Sequence, residues 1–191
     1  MRLHPVAASA ATISAATSGS HRALEEIFGL YQPALLRYLR TRAPDLADDV
    51  AAQTWVSVIE SISRFHGDGA ALRGWILTIG HRRLVDEFRR RGRRLDEPIE
   101  VPDVVDDVTP EHIVTSRVGL ARRLLSRLPP RQADVVLLRV IGGLSVSEVV
   151  EATGLSESNV RVLAHRGLGR LRELLGGDAA AVGSTARGRA V

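Results

Sequence analysis

Residues 144–166 read LSVSEVVEATGLSESNVRVLAHR. A short helical segment from about Ser145 to Ala152 runs into Thr153-Gly154, where glycine tolerates the positive φ of a tight turn. Leu155 plugs the core, and Ser156 offers an N-cap side chain to a second helix that turns Asn159 and Arg161 outward. Val149, Leu155, Val160 and Leu163 are spaced to pack the two helices against each other. The pattern is a helix-turn-helix, whose second helix lies in a DNA major groove. An ordinary helical hairpin shares the apolar spacing. It does not call for Asn159, Arg161, His165 and Arg166 pointing outward, followed by Arg170 and Arg172 on the same helix.

Outward from this motif the helical period continues. Pro130 opens a helix at the position where proline is tolerated, and Val135, Val136, Leu138 and Val140 lead to a stop at Gly142-Gly143. A further helix is expected over about 112–128. Towards the N-terminus, Leu24, Ile27, Phe28, Tyr31, Leu35, Tyr38 and Leu39 recur at steps of three and four, with Pro33 expected to kink or split the helix. A second helix starts after Pro44, with Asp45 expected as its N-cap and Asp48 and Asp49 in its first turns. The loop Phe65-His66-Gly67-Asp68-Gly69 separates it from a third helix of about 70–91 that begins apolar and ends RRRGRR. No run alternates as a strand does. The fold class is all-α: two small helical domains joined by a flexible acidic linker, the C-terminal one holding the helix-turn-helix. Residues 1–20, almost all Ala, Ser and Thr, read as a disordered extension too weakly apolar for a signal peptide, and 176–191 read as a flexible tail.

Charge separates these units. The 191 residues carry a net charge of +4, and all 26 basic residues are arginine, whose planar fork suits phosphate and guanine edges. Residues 21–94 are net +4 and residues 116–175 net +5, while residues 95–115 hold seven acids and no base. Two basic blocks around an acidic one point to a polyanionic partner. All seven aromatic residues lie between Phe28 and Phe88, which suggests two cores of different make-up. Cysteine is absent, the six histidines show no metal spacing, and there is no phosphate loop or nucleophile elbow, so neither catalysis nor a cofactor or metal is expected. No apolar stretch reaches the length of a membrane span, so no membrane insertion is expected.

The chain resembles a bacterial sigma factor of the extracytoplasmic-function (ECF) group. LPPRQADVVLLRVIGGLSVSEVVEATGLSESNVRVLAHRGLGRLRELL (128–175) is similar to the domain that binds the −35 promoter element. LEEIFGLYQPALLRYLR (24–40) resembles the first helix of the N-terminal domain, and DDVAAQTWVSVIESISRF (48–65) the segment that docks on the clamp helices of the polymerase largest subunit. LRGWILTIGHRRLVDEFRRRGRR (72–94) resembles the part that recognises and opens the −10 element, with His81-Arg82 standing where Arg-Asn is usual. The resemblance implies a cytoplasmic, non-enzymatic initiation factor. Its partners would be core RNA polymerase (clamp helices and flap region), promoter DNA and an anti-sigma factor.

By the same resemblance, Asp48, Asp49, Ala52, Gln53 and Val56 would contact polymerase. Phe65, His66, Asp68, His81, Arg82, Arg83, Arg89 and Arg90 would contact the −10 region, and Ser156, Ser158, Asn159, Arg161, His165 and Arg166 the −35 element. The loop Phe65–Gly69 resembles one that captures an extruded non-template base, for which an aromatic ring, an imidazole and glycines are suited. Trp75 is expected in the core. Two other readings remain: a stand-alone helix-turn-helix regulator, and a helical protein-interaction module such as an anti-sigma partner, which two separate arginine-rich faces disfavour.

Overall fold

The computed structural model describes residues 7–92 and 119–185, with side-chain surroundings as far as residue 176. The acidic segment 95–115 lies outside these residues. Every regular element among the described residues is helical.

The N-terminal segment departs from expectation. Within 1–20, helix α1 spans Ala10–Thr17 and is capped by Ser9, whose side chain accepts the Thr12 N–H at 3.0 Å. Ile13 and Ala16, one turn apart, are buried as α1 packs on the next helix. Alanine carries almost no side-chain entropy cost in a helix, so two apolar anchors and one cap hold a segment whose periodicity is faint.

Helix α2 (His21–Arg42) runs through Pro33 unbroken. Ile27 and Tyr31 before the proline, and Leu35, Tyr38 and Leu39 after it, are all buried, so packing on both sides overrides the missing hydrogen bond. Asp45 is not an N-cap. It sits in a 3-10 turn (Pro44–Leu46) that leads into α3 (Ala47–Ser61), which starts without a side-chain cap. A second 3-10 turn (Ile62–Arg64) and the loop to Asp68 lead to α4 (Gly69–Arg90). Beyond the acidic segment come α5 (119–126 among the described residues), α6 (Pro130–Val140, with Pro130 in its first turn), α7 (Val146–Thr153) and α8 (Glu157–Thr185). Helix α8 passes through the stretch expected to be a tail. Three consecutive alanines (179–181) and the absence of proline favour its continuation.

The expected separate cores are in fact one cluster of buried apolar side chains, because α4 packs on α7 and α2 touches α6. At this seam Arg42 Nε donates to Asp134 Oδ1 at 2.7 Å, with the two side chains 3% and 6% exposed. The Arg42 guanidinium also lies 5.1 Å from the Phe88 ring centroid. Beside it, Tyr38 Oη and His81 Nδ1 are hydrogen-bonded at 2.7 Å, both fully buried. Burial, and then the charge of Asp134, raises the Tyr38 pKa, which Arg42 partly opposes. Burial, with Arg42 and then Arg82 adding to it, lowers His81 from 6.5 to about 4. Its ring is neutral and turned into the protein, so the expected −10 contact at His81 is corrected.

Two outcomes follow. Asp134→Ala removes the carboxylate that offsets a buried guanidinium and should cost about 3–5 kcal/mol in denaturant unfolding, whereas Arg42→Leu with Asp134→Leu should cost far less. His81 has a lower pKa folded than unfolded, so on acidification the unfolded chain takes up the proton first. The stability from the neutral ring is complete above about pH 6.5 and is lost as pH falls towards 4, at up to about 1.4 kcal/mol per unit. Melting curves across this range should show that loss, and His81→Asn should flatten it.

Candidate nucleic-acid interface

The helix-turn-helix is built as its residues dictate. Ser145 Oγ accepts the Glu148 N–H at 3.2 Å while the Glu148 carboxylate accepts the Ser145 N–H at 2.6 Å, a reciprocal capping box that starts α7. Gly154 takes φ 71° at the turn, a conformation that β-carbons disfavour. The Asn159 N–H then donates to Ser156 Oγ at 3.4 Å to open α8. Val149 and Val160 are fully buried between the helices, with Leu155 and Leu163 packed against them. This leaves Ser156, Ser158, Asn159, Arg161, His165 and Arg166 exposed along one side of α8. Arg161 Nε donates to Glu157 one turn back at 3.1 Å, so its guanidinium is held along the helix.

On α3 the five residues expected to meet polymerase are all exposed. Their spacing of three and four puts Asp48, Asp49, Ala52, Gln53 and Val56 on one face. Ile59 extends it, and Val56 and Ile59 are 55% and 57% exposed, high for large aliphatic side chains. Asp48 is paired with Arg40 at 3.2 Å.

The residues expected at the −10 element are divided. A cleft of about 660 Å³ is lined by Phe65, His66, Trp75 and Arg82 on one side and by Glu148 and Glu151 of α7 on the other. Phe65 and Trp75 are half-buried with ring centroids 5.2 Å apart, and both pack against the core while lining the cleft. Exposed His66 bonds through Nδ1 to the Arg64 carbonyl at 2.9 Å. Asp68 is committed to capping α4, accepting the Ala71 N–H at 2.8 Å. Arg82 reaches across to α7, donating to the Glu151 carbonyl at 3.0 Å and lying 3.4 Å from its carboxylate. Arg83 donates instead to Ser57 Oγ. Further along α4, Arg89 pairs with Asp86 at 3.6 Å, and Arg90 with Glu87 at 2.6 Å. The hydrogen bond from Arg91 holds the Glu87 carboxyl below its usual range, and Arg90 adds to this against the effect of burial.

Sequence reading missed the two α7 carboxylates that line the cleft, of which Glu151 meets Arg82. Glu148 announces itself only as a capping-box residue. Its approach to α4 depends on Gly74, where a β-carbon would fall 1.7 Å from its carboxylate oxygen. Among the described residues no group of three His, Cys, Asp or Glu could hold a metal, and no helix is long and apolar enough to cross a membrane.

Comparison with known proteins matches residues 27–94 to Sigma-70 region 2 and residues 119–171 to Sigma-70, region 4. The ECF RNA polymerase sigma factor SigD of Mycobacterium tuberculosis is 31% identical over 173 residues, covering 85% of this chain and 82% of SigD. ShbA of Streptomyces griseus, also an ECF RNA polymerase sigma factor, is 30% identical over 180 residues, covering 86% of this chain and 93% of ShbA. The solved structure of CnrH, in complex with the cytosolic domain of CnrY, shares the fold with a TM-score of 0.62 at 24% identity, covering 90% of this chain and 99% of that one.

Proposed function

This chain belongs to the sigma-70 family as an ECF RNA polymerase sigma factor that directs promoter-specific transcription initiation, and we propose that its two halves divide that task residue by residue. The stand-alone regulator is thereby set aside. The observation that carries the division is the pair of outward surfaces on one chain: an acidic and apolar face on α3, and a polar and cationic face on α8.

The α3 face of Asp48, Asp49, Ala52, Gln53 and Val56 docks on core polymerase. Exposed Val56 and Ile59 supply apolar area to bury, and the neighbouring acids supply orientation. On α8, Asn159, Arg161 and Arg166 offer the side chains that pair best with adenine and guanine edges, while Ser156, Ser158 and His165 border them. In the N-terminal half, Phe65 and His66 receive a displaced base, and Arg82, Arg83, Arg89 and Arg90 hold phosphates. Asp68 serves this surface by fixing the start of α4. Residues 95–115, with seven acids and no base, act as a tether that competes with nucleic acid for cationic surfaces. The protein works in the cytoplasm through binding rather than catalysis, and the family resemblance adds an anti-sigma factor to its partners.

Run-off transcription from genomic fragments with core polymerase tests the reading as a whole. Asp49→Arg combined with Val56→Glu should abolish pull-down of core enzyme with helicity unchanged; undiminished capture would overturn the docking face. Arg161→Ala or Arg166→Ala should cost about 1–3 kcal/mol and relax preference in the upstream element only. Changes at Arg89 or Arg90 should weaken binding evenly across sequences and reduce the salt slope by about 1. Promoter-library selection separates the two behaviours, and identical profiles would refute the assignment.

A further inference from the structure

We propose that the N-terminal segment around α1 is a brace for the base-capturing loop, and that Tyr31 is the positioning residue through which it acts. The inference rests on the proposed role of Phe65 and His66. Residues 8–17 precede the part of the chain matched to Sigma-70 region 2, which starts at residue 27. They nonetheless fold onto that region at one place. The Ala8 N–H donates to Tyr31 Oη at 2.9 Å, and Tyr31 Oη donates in turn to the Gly69 carbonyl at 2.8 Å. Tyr31 is 3% exposed, so this relay runs inside the protein.

Gly69 is the first residue of α4 and closes the loop on its C-terminal side. The contact there is close: a β-carbon on Gly69 would fall 2.5 Å from the Ala8 carbonyl oxygen and 2.9 Å from the Ala7 β-carbon. On the N-terminal side the loop leaves the Ile62–Arg64 turn, and α1 packs on that turn, with Ile13, Ala16 and Ile62 all buried. Both ends of the loop therefore rest on the same short segment, while His66 between them stays exposed. Thr12 Oγ1 donates to Glu26 Oε1 at 3.0 Å and ties α1 to α2 away from the loop, so the brace is anchored independently of what it supports.

A loop fixed at both ends loses less freedom when it closes on a base, and keeps its ring and imidazole where an incorrect base fits poorly. Bracing of this kind acts on opening and discrimination at the downstream element. It leaves α3 and α8 untouched.

The test uses holoenzyme on the promoter that the wild-type holoenzyme selects from a random library, and on variants of it changed one base at a time in the downstream element. Permanganate footprinting reads the open complex. Tyr31→Phe keeps the ring and loses both hydrogen bonds; removal of residues 1–18 takes away the brace. Each should lower open-complex yield roughly threefold to tenfold and flatten discrimination among the downstream variants. Polymerase affinity and protection of the upstream element should stay unchanged, well below the melting temperature. Should the truncated chain fail to fold, Tyr31→Phe decides alone. Unaltered discrimination with Tyr31→Phe, while Phe65→Ala and His66→Ala abolish it, overturns the brace only. Unaltered discrimination with Phe65→Ala and His66→Ala overturns the base-capture reading, and the brace with it.

Discussion

A guanidinium and a carboxylate are removed from water together where the two halves of the chain meet, and much of the rest accommodates them. Desolvating Arg42 and Asp134 is costly, and their 2.7 Å hydrogen bond is supported by further polar and aromatic neighbours. Phe88 presents its ring to the cation, and Tyr38 and His81 complete the polar island. Burial on the inner side of α4 disfavours a charged ring at His81, and the cations of Arg42 and Arg82 add to this. The next residue, Arg82, is thereby turned outward. His81 thus joins Leu72, Ile76, Leu77, Leu84 and Phe88 on the buried side of α4, which leaves Arg82 and Arg83 on the exposed side.

At the same seam α7 packs against α4, and this has a consequence for function. Glu148 lies against Gly74, Glu151 takes Arg82, and the cleft beside Phe65 and His66 gains a carboxylate wall. In this closed arrangement the first helix of the helix-turn-helix occupies part of the surface proposed for the −10 element. The buried pair and the apolar seam hold the arrangement. The exposed pair of Arg82 with Glu151 contributes little, because solvent and salt screen it. A partner that draws the halves apart therefore opposes apolar packing, the buried Arg42–Asp134 pair and a hydrogen bond from Arg73 to the Ile141 carbonyl, while the acidic wall gives way easily.

The sequence made the helices legible wherever an apolar stripe coincided with a stop signal. The helix-turn-helix followed from Gly154, Ser156 and four packing residues, while the outer face of α3 came from the family resemblance. Other features were not legible. Helix α1 has an apolar face of only Ile13 and Ala16, and its stability comes from docking on α2 and the Ile62–Arg64 turn, contacts that no local pattern records. Pro33 signalled a kink or a split, and tertiary packing keeps the helix from splitting there. His81 sat in an arginine-rich run and was read as a contact, although its partners, Tyr38 and Arg42, lie forty residues earlier in the sequence. Long-range pairing of buried polar groups leaves no periodic trace, and the joined core went unseen for the same reason.

The arginines proposed for DNA share one property in the free chain: carboxylates or hydroxyls already hold most of them. Arg161 rests on Glu157, Arg82 on Glu151, Arg89 on Asp86, Arg90 on Glu87 and Arg83 on Ser57. Four of these five contacts are with carboxylates, so phosphates must displace acids before the cations are free, and the gain per arginine is correspondingly smaller. Because the displaced contacts are mostly exposed, the exchange costs little once many phosphates are presented in register. A few random phosphates do not compensate for it. Arginine paired in this way discourages scattered binding by the free protein yet permits binding when polymerase holds both promoter elements against the chain, so selectivity begins with the acids beside the arginines as well as with the arginines themselves.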